Sequence, residues 1–284
     1  MTPYLPPTRS PTRTIITSFT SPSPAAATTN DSNDYILRIA APPSSLTGGV
    51  GSGTSSHYLT CASSNRSILT YDAMTLQIHN TLRDVVPPSG EHRITDLATS
   101  CHRHGNADGT KIVVATGTDG LVKLYDLRTS SHASRCFSLP KKETPLSIAL
   151  GYDGTLAAVG THKARIHFYD LRHISSSSGS STTPTPLGSY NDAHTDDITR
   201  LRFHPTNPSL LLSASEDGLV CLFDTSRPSE EDALRSVMNV ECPVRDAGFF
   251  GGEGVYCLTG SETLSCWHGE SAMRVCDFGG EGLR

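Results

Sequence analysis

The sequence contains no long apolar run and no strong excess of charge of one sign. Its 284 residues include 23 Lys and Arg against 28 Asp and Glu, and the net charge of −5 is spread without a dominant block. A nucleic-acid surface normally needs clustered basic residues, and a membrane-spanning helix needs about 18–20 consecutive apolar residues. The sequence therefore predicts neither direct nucleic-acid binding nor membrane association.

The motifs of common enzyme classes are also missing. There is no H-E-x-x-H, C-x-x-C or G-x-S-x-G segment, and no lysine follows the Gly-rich stretch 48–56 where a phosphate-binding loop requires one. The run Cys101-His102-Arg103-His104 offers metal ligands but lacks a fourth partner at a recognised spacing, so a solvated loop is the favoured interpretation. We expect no catalytic residue, no metal site and no cofactor.

Paired cysteines and a secretory signal are absent as well. The eight cysteines have no close paired spacing, and Cys221 and Cys266 fall on inward positions of expected strands, which predicts reduced, buried side chains in a protein of the cytoplasm or nucleus. Residues 1–33 are rich in Ser, Thr and Pro. They are interpreted as a disordered tail rather than as a transit peptide, which they match only loosely.

What the sequence does contain is a repeat. Five times an aromatic residue and a polar residue follow a short apolar strand, and the polar residues are 54, 44, 54 and 44 positions apart: Tyr71-Asp72, Tyr125-Asp126, Tyr169-Asp170, Phe223-Asp224 and Trp267-His268. With 24 Gly and 18 Pro, the composition fits many short strands joined by turns.

These dipeptides and their period resemble the blades of WD-repeat β-propellers. The resemblance implies an all-β fold of four-stranded antiparallel blades at about 35–90, 91–140, 141–192, 193–241 and 242–284, within a domain spanning 34–284. The low-complexity run 175–186 is expected to be an inserted loop in the third blade.

Two Asp-Gly turns share one register. Asp119 and Asp217 each lie seven residues before the aspartate of the following aromatic–Asp pair, and Asp-Gly between apolar runs is a strong hairpin signal. In WD repeats the turn aspartate joins a hydrogen-bonded network with an upstream histidine, a Ser or Thr and a tryptophan. The resemblance assigns these structural roles to His194, Ser213 or Ser215, and Asp217, although Phe223 replaces the tryptophan.

Alternation along the third strands predicts which side chains pack between neighbouring blades. They are Val122 and Leu124, Ile166 and Phe168, Val220 and Leu222, and Leu264 and Cys266.

Five blades are fewer than most WD propellers contain, and an unclosed array leaves apolar faces uncovered. We therefore expect an incomplete seven-bladed ring, in preference to a native ring of five. Several segments resemble the family of WD repeat-containing protein 89, namely 196–199, 202–205, 215–220, 261–267 and 277–279. Proteins of that family are longer at the C-terminus.

The tetrapeptide Tyr-Asp-Leu-Arg occurs in two consecutive blades, at 125–128 and 169–172. Tandem boxes of this kind resemble those of WD-repeat substrate receptors that dock on the adaptor of cullin-RING ubiquitin ligases. The alternative is that each Asp-x-Arg unit simply pairs locally at a strand end. Asp126, Arg128, Asp170 and Arg172 are thus candidate partner-binding residues.

The expected function is that of a non-catalytic interaction scaffold that assembles a multiprotein complex, because a rigid ring holds its loops at fixed angles. The ligase-receptor role is the first alternative. A propeller enzyme, such as a metal-dependent hydrolase or isomerase, is the second.

Overall fold

A computed structural model describes residues 34–41, 58–72, 75–88, 90–102, 110–127, 132–174 and 183–279, without the side chains of 101, 102, 110 and 111. The expected N-terminal tail, most of the Ser-rich insert and the side chains of the Cys-His-Arg-His cluster fall outside what is described.

Within the described residues, twenty strands form five four-stranded antiparallel sheets, each a simple meander. The first blade contains β1 (Ile36–Ala40), β2 (Tyr58–Ser63), β3 (Ile68–Asp72) and β4 (Ile78–Leu82). The second contains β5 (Ile94–His102), β6 (Thr110–Gly117), β7 (Leu121–Asp126) and β8 (Arg135–Ser138). The third contains β9 (Pro145–Gly151), β10 (Leu156–Thr161), β11 (Ile166–Asp170) and β12 (Gly188–Tyr190). The fourth contains β13 (Ile198–Phe203), β14 (Leu210–Ser215), β15 (Leu219–Asp224) and β16 (Leu234–Asn239). The fifth contains β17 (Val244–Phe250), β18 (Gly254–Thr259), β19 (Leu264–His268) and β20 (Met273–Asp277).

Helix is almost absent from the described residues. They contain one α-helix, α1 (Glu230–Ala233), and three single-turn 3-10 segments at Pro140–Lys142, Tyr152–Gly154 and Leu171–His173. The prediction of an all-β propeller with five four-stranded blades is confirmed. The two further blades of a seven-bladed ring stay a prediction.

Every first strand contains a β-bulge at the same place, near its start. The first strands of successive blades also contact one another, β1 with β5, β5 with β9, β9 with β13 and β13 with β17. A bulge turns the residue that follows it and changes where its side chain points. The same inward position is therefore repeated in all five blades.

The apolar core consists of four clusters, one at each junction between consecutive blades. The third strand supplies both sides of this packing. In the second blade Val122 and Leu124 pack against the third blade, whereas Tyr125 packs against the first. Ile166 and Phe168, then Val220 and Leu222, repeat the pattern in the next two blades. The predicted packing between neighbouring blades is confirmed for these six residues.

Leu264 and Cys266 depart from that prediction, because they are only half-buried. In the second, third and fourth blades, the equivalent side chains pack against the next blade along the chain. No described residues form a further blade against this face of the fifth blade. The exposed large apolar side chains concentrate on the two terminal blades. They include Tyr35, Ile36, Ile39 and Ile78 in the first, and Phe250, Leu258, Met273, Val275 and Phe278 in the fifth.

Candidate functional site

A histidine, a serine and an aspartate are joined by hydrogen bonds inside the fourth blade. The Nε2 atom of His194 lies 2.7 Å from Oγ of Ser213, and Nδ1 lies 3.1 Å from Oδ2 of Asp217. Asp217 also accepts the backbone N–H groups of Thr195 and Leu219, both at 2.9 Å. His194, Ser213 and Asp217 are buried or nearly so. Their hydrogen bonds connect the segment before β13 to the β14–β15 turn.

Ser215 has a different role from Ser213. Its Oγ donates to the carbonyl oxygen of Asp196 at 3.1 Å and accepts the N–H of Asp217, also at 3.1 Å. It therefore shapes the turn, while Ser213 is the serine that meets the histidine. Phe223, at the tryptophan position, is fully buried between the third and fourth blades.

The carboxyl group of Asp217 is held in its charged form. Burial by itself would raise the pKa of Asp217, but the hydrogen bonds from His194, Thr195 and Leu219 outweigh that effect and lower the pKa to about 2. The network thus stabilises the turn through a buried charge that the surrounding donors satisfy.

Asp119 occupies the corresponding turn of the second blade but has different partners. Its Oδ1 accepts the N–H of Leu121 at 3.3 Å, and its Oδ2 lies 2.5 Å from Nζ of Lys123. The same ammonium donates to the carbonyl oxygen of Val85 at 2.5 Å, so this turn is linked to the segment that follows the first blade.

The third blade also contains an acid–histidine–serine network, formed by residues that were not predicted from the sequence. Glu143 is buried and lies 3.0 Å from Nε2 of His167 and 2.6 Å from Nη1 of Arg165. Nδ1 of His167 lies 2.6 Å from Oγ of Ser189 on the edge strand β12. Although burial opposes ionisation, the bonds to His167 and Arg165 lower the pKa of Glu143. The acid comes from before the first strand and the histidine from the third strand, an order that reverses that of the fourth blade.

A second missed feature is a charged network across the ring. Nη1 of Arg200 donates to Oδ1 of Asp96 at 2.6 Å, and Nε of Arg200 lies 2.9 Å from Oδ1 of Asp246. The other oxygen of Asp96 accepts the N–H of Ile148 at 3.0 Å, and Nε of Arg38 lies 3.7 Å from Oδ1. First strands of all five blades therefore meet at one buried carboxylate and one buried guanidinium.

The bulge register explains why these residues converge. In four blades a charged residue stands two positions after the apolar residue at which the bulge of the first strand begins: Arg38, Asp96, Arg200 and Asp246. Ser147 holds the equivalent place in the third blade. A charge that repeats at this position was the signal in the sequence. Burial by itself would lower the pKa of Arg200, but Asp96 and Asp246 outweigh it and the pKa is raised.

One of the two Asp-x-Arg boxes lies on described residues. Asp170 and Arg172 form a two-pronged ion pair, with Nε to Oδ1 at 2.9 Å and Nη2 to Oδ2 at 2.6 Å. The Arg172 side chain is 68% exposed. Its hydrogen bonds lower the pKa of Asp170 and raise that of Arg172. Arg128 lies outside the described residues, while Asp126 ends β7 at the corresponding place in the second blade.

Comparison with known proteins agrees with the geometry. A family model of the WD domain, G-beta repeat, matches residues 184–224, which carry the His194–Asp217 network. The chain is also similar to the WD repeat-containing protein 89 homolog of Dictyostelium discoideum, with 26% identity over 61% of this chain and 45% of the relative. Residues 184–224 therefore match a WD repeat, and the chain is similar to WD-repeat proteins over more than half of its length.

The chain is similar to two other relatives as well. It is 30% identical to WD repeat-containing protein GTS1 of Arabidopsis thaliana over 58% of the chain and 40% of that protein. It is 31% identical to Histone acetyltransferase type B subunit 2 of Debaryomyces hansenii over 39% of the chain and 26% of that protein. The matched part of the chain thus covers less than half the length of each of these three relatives.

The described blades hold no group of three or more His, Cys, Asp and Glu side chains placed to bind a metal ion. Within the same residues, none of the helices has the length and apolar composition that a bilayer span requires. The acid–histidine–serine arrays bond within their own blades, and Ser213 is completely buried. What the arrangement provides is rigid turns and strand ends.

Proposed function

We propose that this WD-repeat chain is a non-catalytic scaffold that assembles a multiprotein complex. The observation that supports this most directly is the row of four apolar junctions, which fixes the blades to one another and leaves turns and strand ends free for partners. Preformed loops bind with a small entropic cost, because little ordering is needed on docking. One relative is named Histone acetyltransferase type B subunit 2, and a subunit has protein partners by definition.

The proposal is tested by native mass spectrometry of the tagged chain purified from its own cells. We expect the 30.3 kDa chain in defined assemblies with other proteins. A matched variant, Leu222→Asp, places a charge in the junction between the fourth and fifth blades and should lose those assemblies as its fold is lost. Recovery of the wild-type chain alone under gentle conditions would contradict the proposal.

The absence of catalysis is part of the proposal and has its own test. Ser189, His167 and Glu143 have the order of contacts found in serine hydrolases, and Ser189 is only half-buried. We expect no labelling of the folded chain by a fluorophosphonate probe. Labelling that disappears in Ser189→Ala, with the fold kept, would replace the scaffold by a hydrolase.

A second candidate function, docking on the adaptor of a cullin-RING ubiquitin ligase, is favoured by one observation. Asp170 holds the Nε and Nη2 edge of Arg172, while Nη1 makes no hydrogen bond to any described residue and the side chain is mostly exposed. A guanidinium held in place in this way pays less entropy on binding a carboxylate or a carbonyl group. Arg128 is the matching residue of the preceding blade.

The test compares adaptor recovery by the wild-type chain and by Arg128→Ala/Arg172→Ala. Arg227→Ala/Arg235→Ala is the control, because these arginines flank Asp224 at the same strand end of the fourth blade. The ligase proposal requires that only the first pair of changes abolishes recovery. Equal recovery from all three proteins, or none from any, would remove it.

We further propose that the chain resides in the cytoplasm, the nucleus or both. The seven cysteines whose side chains are described are free thiols, as is usual in reducing compartments. Fluorescence microscopy of the tagged chain tests this, and accumulation in the secretory pathway would contradict it.

A further inference from the structure

Two cysteines face each other across the last pair of strands. Cys266 in β19 is the register partner of Cys276 in β20, and both side chains are half-buried. The other described cysteines on strands have different partners in register. Cys136 lies opposite Lys123, Cys221 opposite Ser213 and Val237, and Cys257 opposite Ala247 and Ser265.

The hydrogen-bond pattern indicates the separation of the two cysteines. The N–H of Phe278 donates to the carbonyl oxygen of Leu264 at 2.7 Å. Antiparallel pairs alternate, so Cys266 and Cys276, two residues further along each strand, again occupy a hydrogen-bonded pair, with Cα atoms about 5.5 Å apart. Disulfides occur most often at Cα separations of about 5.5–6 Å. Facing Cβ atoms in a hydrogen-bonded pair lie about 5.5 Å apart, against about 3.5–4.5 Å in a disulfide, so the edge strand β20 has to shift slightly at the bulge beside Cys276 for the two sulfur atoms to bond.

The pair is also reachable by small oxidants. β20 is the edge strand of the fifth blade, and Met273 and Val275 of this strand are each 62% exposed. Both cysteines lie on the face of the blade that no described strand covers. Buried cysteines such as Cys221 and Cys257 lack this access.

We propose that Cys266 and Cys276 form a redox-active thiol pair, which hydrogen peroxide or a related hydroperoxide oxidises to a disulfide that fastens β20 to β19. This site is independent of the proposed scaffold function. It adds a reversible covalent link at the edge of the fifth blade.

The chemistry balances with the peroxide as the only oxidant. The thiolate of Cys276 attacks one peroxide oxygen, the O–O bond breaks, and the departing hydroxide takes up the thiol proton to give water and a sulfenic acid. The sulfur of Cys266 then attacks the sulfenic sulfur, the S–O bond breaks, and the second hydroxide leaves as water with the proton of Cys266. Two electrons pass from the two sulfur atoms to the peroxide.

Cys276 is assigned the first step because Cys266 is the less reactive thiol. Burial, followed by the proximity of Cys276, raises the pKa of Cys266. The thiolate is the nucleophile, so a raised pKa slows direct attack on the peroxide but still allows the second, intramolecular step.

The test treats the purified full chain with stoichiometric hydrogen peroxide and maps its peptides by mass spectrometry without reduction. We expect a cross-linked peptide containing Cys266 and Cys276, with the loss of two hydrogen atoms, and its return to thiols on addition of dithiothreitol. Cys266→Ser should stop at sulfenic acid on Cys276, which dimedone traps. Cys136→Ser is the matched control, since Cys136 is also half-buried but has no cysteine opposite. In this variant Cys266 and Cys276 should form the disulfide as they do in the wild type.

Three results would overturn the proposal: a disulfide involving Cys257 instead, a bond between two chains, or oxidation that is no faster at this pair than at Cys136. Hydrogen exchange supplies a second readout. The disulfide should slow exchange of the β20 amides by about tenfold or more, because the strand can then no longer separate from β19. Unchanged exchange in a chain shown to carry the disulfide would contradict the fastening of β20.

Discussion

At the scale of single residues, the most consequential group is a buried charge at the ring centre. Asp96 is 1% exposed, and its oxygens are bonded by Arg200 and by the N–H of Ile148. A buried ion pair contributes modestly to stability, because both ions must leave water, but removal of one partner is costly. The network therefore serves mainly to fix which first strands meet.

We predict that Arg200→Met lowers the free energy of unfolding by about 3 kcal/mol or more, because Asp96 is left buried without its main counter-ion. Urea unfolding followed by fluorescence measures the change. Arg202→Met is the control, since Arg202 lies on the same strand, is half-exposed and lies 3.8 Å from Asp246, and it should cost about 1 kcal/mol or less. A double-mutant cycle with Asp96→Asn should give a coupling of about 1–3 kcal/mol. Additive effects would contradict direct pairing.

Asp217 gives a prediction for pH. Its pKa is about 2 in the folded chain against an ordinary value of 3.8. The folded value is the lower one, so the stabilisation is complete above about pH 4 and is lost as the pH falls towards 2, for a total of about 2 kcal/mol.

The pH effect is measured from urea midpoints between pH 2 and pH 6. Asp217→Asn should be less stable at neutral pH and should lose its part of the acid sensitivity, whereas Asp192→Asn, at an exposed position, should behave as the wild type. An unchanged acid profile in Asp217→Asn would show that the His194 network does not hold the carboxylate.

At the scale of elements, the two Asp-Gly turns provide a matched pair. Gly120 and Gly218 both have positive φ, +80° and +83°. A Cβ on Gly120 would meet no atom within 4 Å, while one on Gly218 would lie 3.3 Å from the backbone nitrogen of Cys242. The two glycines are alike in conformation and differ in what packs against them.

We predict that Gly120→Ala costs about 1 kcal/mol, the strain of a left-handed conformation alone. Gly218→Ala should cost more, about 2 kcal/mol, because the loop at Cys242 must also move. Thermal unfolding of the two variants measures the difference. Equal destabilisation would mean that the loop at Cys242 moves without an energetic cost, which would contradict the prediction.

The elements show how far sequence reasoning reaches. The third strands could be predicted because alternation and the aromatic–polar pair agree in every blade, and an Asp-Gly turn precedes the strand in the second and fourth blades. The four-stranded fourth blade was predicted, but the bounds of β16 were not, since Leu234–Asn239 has weak alternation and follows the short acidic helix α1. Glu143 with His167 was missed because its order along the chain reverses that of His194 and Asp217, and Asp96 with Arg200 was missed because these residues are 104 positions apart.

At the scale of the whole molecule, the repeat explains both the core and its limits. Each inner junction is a complete apolar cluster, while Leu264 and Cys266 of the last blade and Tyr71 of the first lie on half-buried faces. Sequence periodicity predicted the number of described blades, because stacking repeats one local pattern. It did not predict that Cys266 would stay half-exposed, since that depends on whether a neighbouring blade covers its face.

The central claim is that stacking between blades, rather than strand pairing alone, stabilises the chain. Amide hydrogen exchange of the native protein tests it, with the second strands as matched reporters, because each is hydrogen-bonded on both sides. The stacking account predicts the slowest exchange in β6, β10 and β14, whose blades are covered on both faces, and faster exchange in β2 and β18. Equal exchange in all five strands, or slower exchange in β2 and β18, would contradict it.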